Sequence, residues 1–165
     1  MEPANTIVAS LAEGFEAPGK MLRHGRPVRV LVADDEEQVR TLLARLLRHA
    51  GYEVTTVADG TGAIAATADA EQPFDVVVLD IFMPGRTGVA AYWEISRRYG
   101  GARFLFTSAY YESGLLNDAL REGRSAFLAK PFLPGYVLEE VQNLVAAGAD
   151  PAEPETSGTH TILIA

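Results

Sequence analysis

The sequence predicts a doubly wound α/β domain, a five-stranded parallel sheet with five helices, and three observations carry that prediction. Short Val-rich segments recur without the polar alternation of a half-exposed strand, so they read as strands buried on both faces. Each is followed by a segment with helical features, the alternation of a parallel sheet covered by helices on both sides. Polar residues with chemical potential fall where the strands stop, at the sheet edge where such folds bind ligands.

The first strand is "VRVLVA" (28–33), which stops at two acids. "EEQVRTLLARLLRHAG" then sets Val39, Leu42, Leu43, Leu46 and Leu47 on one helical stripe with Gly51 as its stop. Glu36 and Glu37 suit the start of that helix, and His49 its end, on electrostatic grounds. "YEVTTVADG" is a second strand ending in an Asp-Gly turn, where Asp59 can cap a helix through "TGAIAATADA". "DVVVLD" is the third strand, and "MPGRTG" is turn chemistry leading into a helix at "VAAYWEISRRYG". "ARFLFTSA" and "YESGLLNDALREG" form the fourth strand and helix. "SAFLAK" and "LPGYVLEEVQNLVAAGA" form the fifth, with Val137, Leu138, Val141, Leu144 and Val145 on the apolar face of the last helix. The boundaries are an extension over 1–27, the domain over 28–148 and a tail over 149–165. In the extension, "TIVASLAEGF" has the pattern of one short amphipathic helix that covers the domain or serves a homodimer interface, and "APGKMLRHGRP" reads as a connector. The tail reads as a linker with a β-prone apolar tip, "HTILIA".

Hydrophobic residues make up 48% and charged residues 22% of the 165, the balance of an ordinary globular protein. Asp and Glu number 22 against 14 Lys and Arg, a formal net charge of −8 that argues against a sequence-independent grip on nucleic acid or an anionic membrane surface. Without cysteine there are no disulfides, thiolate metal sites or Cys nucleophile. Apolar runs fall short of the roughly 20 residues of a membrane span, and the N-terminus lacks the basic segment of a secretion signal. The expected compartment is the cytoplasm.

The strand ends carry the chemistry. Asp34 and Asp35 end the first strand, Asp80 the third, Thr107 and Ser108 the fourth, and Lys130 the fifth. Asp80 lies between apolar runs in "DVVVLDIFMPG", and an unpartnered buried carboxylate costs several kcal/mol or becomes neutral. Three carboxylates drawn together predict a cation. Oxygen donors without nearby His or Cys favour Mg²⁺ or a similar hard ion. With a Lys beside the cluster and a hydroxyl donor, these groups form a phosphoryl-handling site. Taken singly, an acidic pair is a helix cap, a lone Asp a turn former and Lys-Pro a loop. Their placement at successive strand ends points to the site.

Four segments in order, "VLVADDE", "LDIFMPGRTG", "FTSA" and "AFLAKPF", resemble the response-regulator receiver family of two-component signalling, over about Val28 to Ala147. The resemblance implies a flavodoxin-like receiver fold with strand order 2-1-3-4-5. It implies that Asp80 is the phospho-acceptor, forming an acyl phosphate with a phosphoryl group from a sensor histidine kinase or histidine phosphotransfer protein. Asp35 is then a direct Mg²⁺ ligand, Asp34 binds mainly through water, and Asp80 and the backbone carbonyl of Phe82 complete the protein's share of the shell. Lys130 pairs with Asp80 before transfer and with the phosphoryl oxygens after it, across a cis Lys130–Pro131 bond. Of the two hydroxyls, Ser108 has the family's position before a small residue and its distance from the Lys. Ser108 is expected to swing to the phosphoryl group, and Phe127 to move into the space it leaves. Binding of a downstream protein then changes at the face of the fourth helix, fifth strand and fifth helix. Phe82 and Tyr110 occupy positions that flank the path of hydrolytic water in this family, and their bulk implies slow loss of phosphate.

The implied molecule is a stand-alone regulator that catalyses only its own phosphorylation and dephosphorylation. A phosphotransfer intermediate or phosphate sink would use the same site without an output face. A metal-dependent phosphatase on a similar sheet would need a second acid two residues after its nucleophile, where this chain has Phe82. A flavodoxin-like cofactor binder would need a phosphate-cradling loop after the first strand, where Asp34, Asp35, Glu36 and Glu37 stand instead.

Overall fold

Strands without polar alternation bury both faces only as the middle layer of three, and the computed structural model, which describes residues 19–110 and 114–148, places them there. The elements run β1 (Leu22–Arg23), β2 (Arg26–Pro27), β3 (Arg29–Ala33), α1 (Glu37–His49), β4 (Glu53–Val57), α2 (Gly60–Ala68), β5 (Val76–Asp80), α3 (Gly88–Arg98), β6 (Arg103–Ser108), α4 (Gly114–Arg121), β7 (Ser125–Ala129) and α5 (Pro134–Ala147). The main sheet has the order β4-β3-β5-β6-β7, and each pairing is parallel. This is the predicted doubly wound order. Its switch point falls between β3 and β5.

Alternation along the strands divides the core in two. Val30, Val32, Val76, Val78 and Leu105 pack against Leu43, Leu47, Val137 and Val141 of α1 and α5. On the other face, Leu31, Val77, Leu79, Phe104 and Phe106 meet Ala63, Val89, Tyr92, Ile95 and Leu116 of α2, α3 and α4. Each large side chain so buried contributes about 1.5–3 kcal/mol of transfer free energy. The helix starts follow local chemistry: Asp59 accepts from the Gly62 N–H at 2.6 Å, and Thr87 from the Ala90 N–H at 3.2 Å. Chain reversal after α1 uses Gly51 at φ +90°. The helix expected at "TIVASLAEGF" and the apolar tip "HTILIA" lie outside the described residues.

One segment differs from its sequence reading. Residues 21–27 fall within the stretch read as a connector, yet β1 and β2 form an antiparallel hairpin docked at the amino end of the sheet. Two-residue strands show no periodicity, so the sequence carries no signal for them. What fixes the hairpin is Asp75, far along the chain and buried at the start of β5. Arg26 grips its carboxylate through both terminal nitrogens, at 2.8 and 2.9 Å, and Arg23 Nη1 approaches at 3.3 Å. The Arg29 N–H also donates to it, at 2.9 Å.

Candidate functional site

Parallel strands deliver their carboxyl ends to one edge, and the register there sets the site. Asp34 directly follows β3, Asp80 ends β5, Ser108 ends β6 and Lys130 directly follows β7. Asp80 is in register with Thr107, and Ser108 with Ala129. The Lys130 N–H donates to the Ser108 carbonyl at 2.8 Å, and the Ile81 N–H to the Thr107 carbonyl at 2.9 Å. The ladder therefore runs on to the reacting side chains.

Asp34 is fully buried. Its Oδ1 accepts from the Glu36 N–H at 2.9 Å, which turns the chain toward α1, and its Oδ2 accepts from Lys130 Nζ at 2.9 Å. Asp35 is exposed and Asp80 buried, and one carboxylate oxygen from each of the three acids lies within 4.8 Å of the others. Burial pushes the Asp80 carboxyl up to about 7; Lys130 opposes the rise, and Asp34 and Asp35 add to it. For Lys130, burial acts downward, but the bond to Asp34 and the negative charges of Asp34 and Asp80 outweigh it, so the net shift is upward.

Lys130 lies 3.7 Å from Asp80, within ion-pair range, while its hydrogen bonds go to Asp34 and to Glu36 at 3.3 Å. The expected pairing with Asp80 is thus the longer of its contacts. Asp34 has no exposed surface and depends on protein donors, so it takes the ammonium first. The Lys130–Pro131 peptide is cis.

An open cavity of 400 Å³ lies over Asp80, lined by Asp35, Glu36, Asp80, Phe82, Ala109, Tyr110 and Lys130. Phe82 and Tyr110 remain 53% and 70% exposed and meet edge to face at 6.3 Å, forming an aromatic wall beside the acids. Ser108 is buried below this wall, and its Oγ accepts from the Tyr110 N–H at 3.1 Å. Strand alternation turns Ser108 to the face of Phe106 and Thr107 to the opposite one. The Thr107 hydroxyl is buried without a hydrogen-bond partner among the described residues. Phe127, in register with Phe106, is partly buried against the α2–α4 side of the core, the face Ser108 shares, and does not line the cavity.

Two contributors escaped sequence reasoning. Arg40 of α1 donates to the Asp34 carbonyl at 2.7 Å and reaches that of Asp35 at 3.4 Å, tying the acidic loop to the helix. Glu36 turns its side chain to Lys130 rather than capping α1. Each looks in sequence like an ordinary residue of an amphipathic helix. Gly88 at the start of α3 has a clearer signature: a Cβ there would overlap the Asp80 carbonyl oxygen and lie 2.9 Å from its carbon.

A model of the response regulator receiver domain matches residues 30–142. The chemotaxis protein CheY of Bacillus subtilis is 34% identical over 113 residues, covering 68% of this chain and 93% of that protein. The CheY of Thermotoga maritima is 33% identical over 116 residues, covering 70% and 96%. Among solved structures, CheY4 of Vibrio cholerae superposes with a TM-score of 0.64 at 30% identity, covering 71% of this chain and 98% of that one. A CheX–CheY–BeF3–Mg²⁺ complex from Borrelia burgdorferi gives 0.68 at 29% identity, covering 76% and 95%. No helix among the described residues is long and apolar enough to cross a membrane.

Proposed function

This chain belongs to the response regulator receiver domain family of two-component signalling, and we propose that it is a phosphorylation-switched module whose acceptor is Asp80. The observation that carries this reading is the position of Asp80, at an open cavity between an acidic pair and Lys130. The donor is a sensor histidine kinase or a histidine phosphotransfer protein. A carboxylate oxygen of Asp80 attacks the phosphorus in line as the phosphorus–nitrogen bond of the donor breaks. The donor imidazole leaves with that electron pair, and an acyl phosphate forms on Asp80.

Asp34, Asp35, Asp80 and the backbone carbonyl of Phe82 are the groups that would hold Mg²⁺. Their fit rests on an oxygen-only donor set, one oxygen from each of three acids within 4.8 Å of the others, and on an acceptor whose affinity for protons is raised chiefly by burial and further by Asp34 and Asp35. The ion would neutralise charge on the phosphoryl group. Lys130 is close enough to move from Asp34 to phosphoryl oxygens by a side-chain rotation, and the Ser108 hydroxyl donates to the same group after leaving the Tyr110 N–H. Phe127 then packs into the space Ser108 vacates. The altered surface of α4, β7 and α5, where Leu133 and Tyr136 are already exposed, binds a downstream protein.

Intact mass after incubation with Mg²⁺ and acetyl phosphate tests the reading. One base-labile phosphoryl adduct is expected on the parent chain, absent without Mg²⁺ and absent from Asp80→Asn. An adduct that persists in Asp80→Asn would move the acceptor elsewhere. Gly88→Ala should slow adduct formation by at least about tenfold, because it displaces the Asp80 backbone from its productive position. An unchanged rate would show that the loop yields without moving the carboxylate. The aromatic wall obstructs water aligned for in-line attack, so Phe82→Asn should shorten the phosphoryl lifetime several-fold, as read from adduct decay after donor removal. Equal decay of parent and variant would remove that role from Phe82.

A further inference from the structure

Glu36 stands at the N-cap of α1 yet gives that helix no side-chain hydrogen bond. A carboxylate at a helix start is ordinarily stabilised by the unpaired N–H groups and the dipole of the first turn. Here the backbone is fixed by Asp34, whose Oδ1 accepts from the Glu36 N–H at 2.9 Å, and the Glu36 carboxylate turns along the acceptor cavity to Lys130 Nζ at 3.3 Å. The Lys130 ammonium has three N–H donors. Asp34 takes one at 2.9 Å and Glu36 another, while Asp80 stands at 3.7 Å, beyond hydrogen-bonding distance.

These two holds on Lys130 differ in kind. Asp34 is fully buried and belongs to the acidic triad, whereas the Glu36 side chain is 63% exposed and lies outside that triad. An exposed ion pair is weak and screened by salt, so Lys130 can leave Glu36 at little cost. Once Lys130 has moved to a phosphoryl group on Asp80, however, Glu36 remains beside the cavity as an uncompensated negative charge facing a group of the same sign. We propose that Glu36 is a positioning residue that holds Lys130 back from Asp80 and thereby restrains phosphoryl uptake, an inference that rests on Asp80 being the acceptor.

The test compares the full parent chain with Glu36→Gln and Glu36→Asp. Gln keeps the length and an accepting oxygen but carries no charge. Asp keeps the charge but is one methylene shorter, so it falls short of Lys130 and suits the cap of α1 instead. Lys20 and Lys130 are the two lysines of the chain, so labelling Nζ with nitrogen-15 gives two side-chain signals. With divalent ions chelated, the Lys130 signal should shift in both variants and the Lys20 signal should stay in place. With Mg²⁺ and acetyl phosphate at low salt, intact mass should show both variants labelled about two- to fivefold faster than the parent, the range for one unit charge a few ångströms away at a wet surface. In about 0.5 M NaCl the three rates should converge. A Glu36→Asp rate equal to the parent's, with Glu36→Gln faster, would overturn the proposal by showing that charge beside the cavity acts without the bond to Lys130. Equal rates in all three chains at low salt, or an unmoved Lys130 signal, would also overturn it and leave Asp80 as the acceptor. Absence of an adduct on all three would remove the acceptor reading and this inference together.

Discussion

Asp80→Asn is expected to melt about 3–10 °C above the parent chain at pH 8 with divalent ions chelated, although it removes the group on which the proposed chemistry depends. In the folded protein the Asp80 carboxyl is raised from 3.8 to about 7, chiefly by burial and further by Asp34 and Asp35. Folding therefore raises its proton affinity, and stability falls as pH rises from about 4 to about 7, then stays level. A rise of that size corresponds to at most about 4 kcal/mol; structural relaxation and water at the open cavity reduce it to about 1–3. Asn carries no charge and escapes the loss. The gap between the variants should thus be largest above pH 7 and absent below pH 4. Mg²⁺ should narrow it by stabilising the parent in proportion to occupancy. Melting curves at pH 4, 6 and 8, with chelator and with Mg²⁺, measure all of this. Equal melting temperatures at pH 8 with chelator would mean that Lys130 already compensates the charge of Asp80 in full.

Asp75→Ala is expected to cost about 2–4 kcal/mol in urea unfolding, because a buried carboxylate that serves several donors is removed. The buried carboxylate accepts from Arg23, Arg26 and the Arg29 N–H. Its removal strands those donors at the base of the sheet. Local opening should accompany the global loss. The Met21 N–H, bonded to the Gly51 carbonyl at 3.1 Å, and the Val28 N–H, bonded to the Met21 carbonyl at 2.8 Å, should lose exchange protection before the core amides. Phosphoryl uptake at Asp80, at the other end of the strands, should keep its rate well below the melting temperature. Retained protection at Met21 in Asp75→Ala would mean that backbone pairing alone holds the hairpin.

Much of the sheet and its chemistry was legible because strand burial and strand ends leave local marks. "VVVLD" states in five letters both that a strand is buried on two faces and where it reaches the edge. Asp59 could be assigned as a helix start because a cap acts over two or three residues, whereas Thr87, which caps α3 in the same way, lay unmarked within turn chemistry. The hairpin, by contrast, could not be read. Its two-residue strands have no period, and its anchor lies about fifty positions away in Asp75. Arg40 and Glu36 were hidden for a related reason: their roles depend on which way a flexible side chain turns, and sequence spacing does not record that.

The sequence by itself determined the layer order and the convergence of Asp34, Asp35, Asp80, the Thr107–Ser108 pair and Lys130 at one edge, since periodicity and the parallel rule fix each of these locally or by topology. Only the tertiary structure decided how the charges are shared there. Lys130 bonds Asp34 and Glu36 and stands off from Asp80, because the completely buried acid competes most strongly for a donor. It also decided that Asp75, the other acid bounding the same run of valines, is a structural anchor fully served by arginines, whereas Asp80 faces an open cavity with its proton affinity raised. Two aspartates at the two ends of one strand differ in role because their partners arrive from distant parts of the chain.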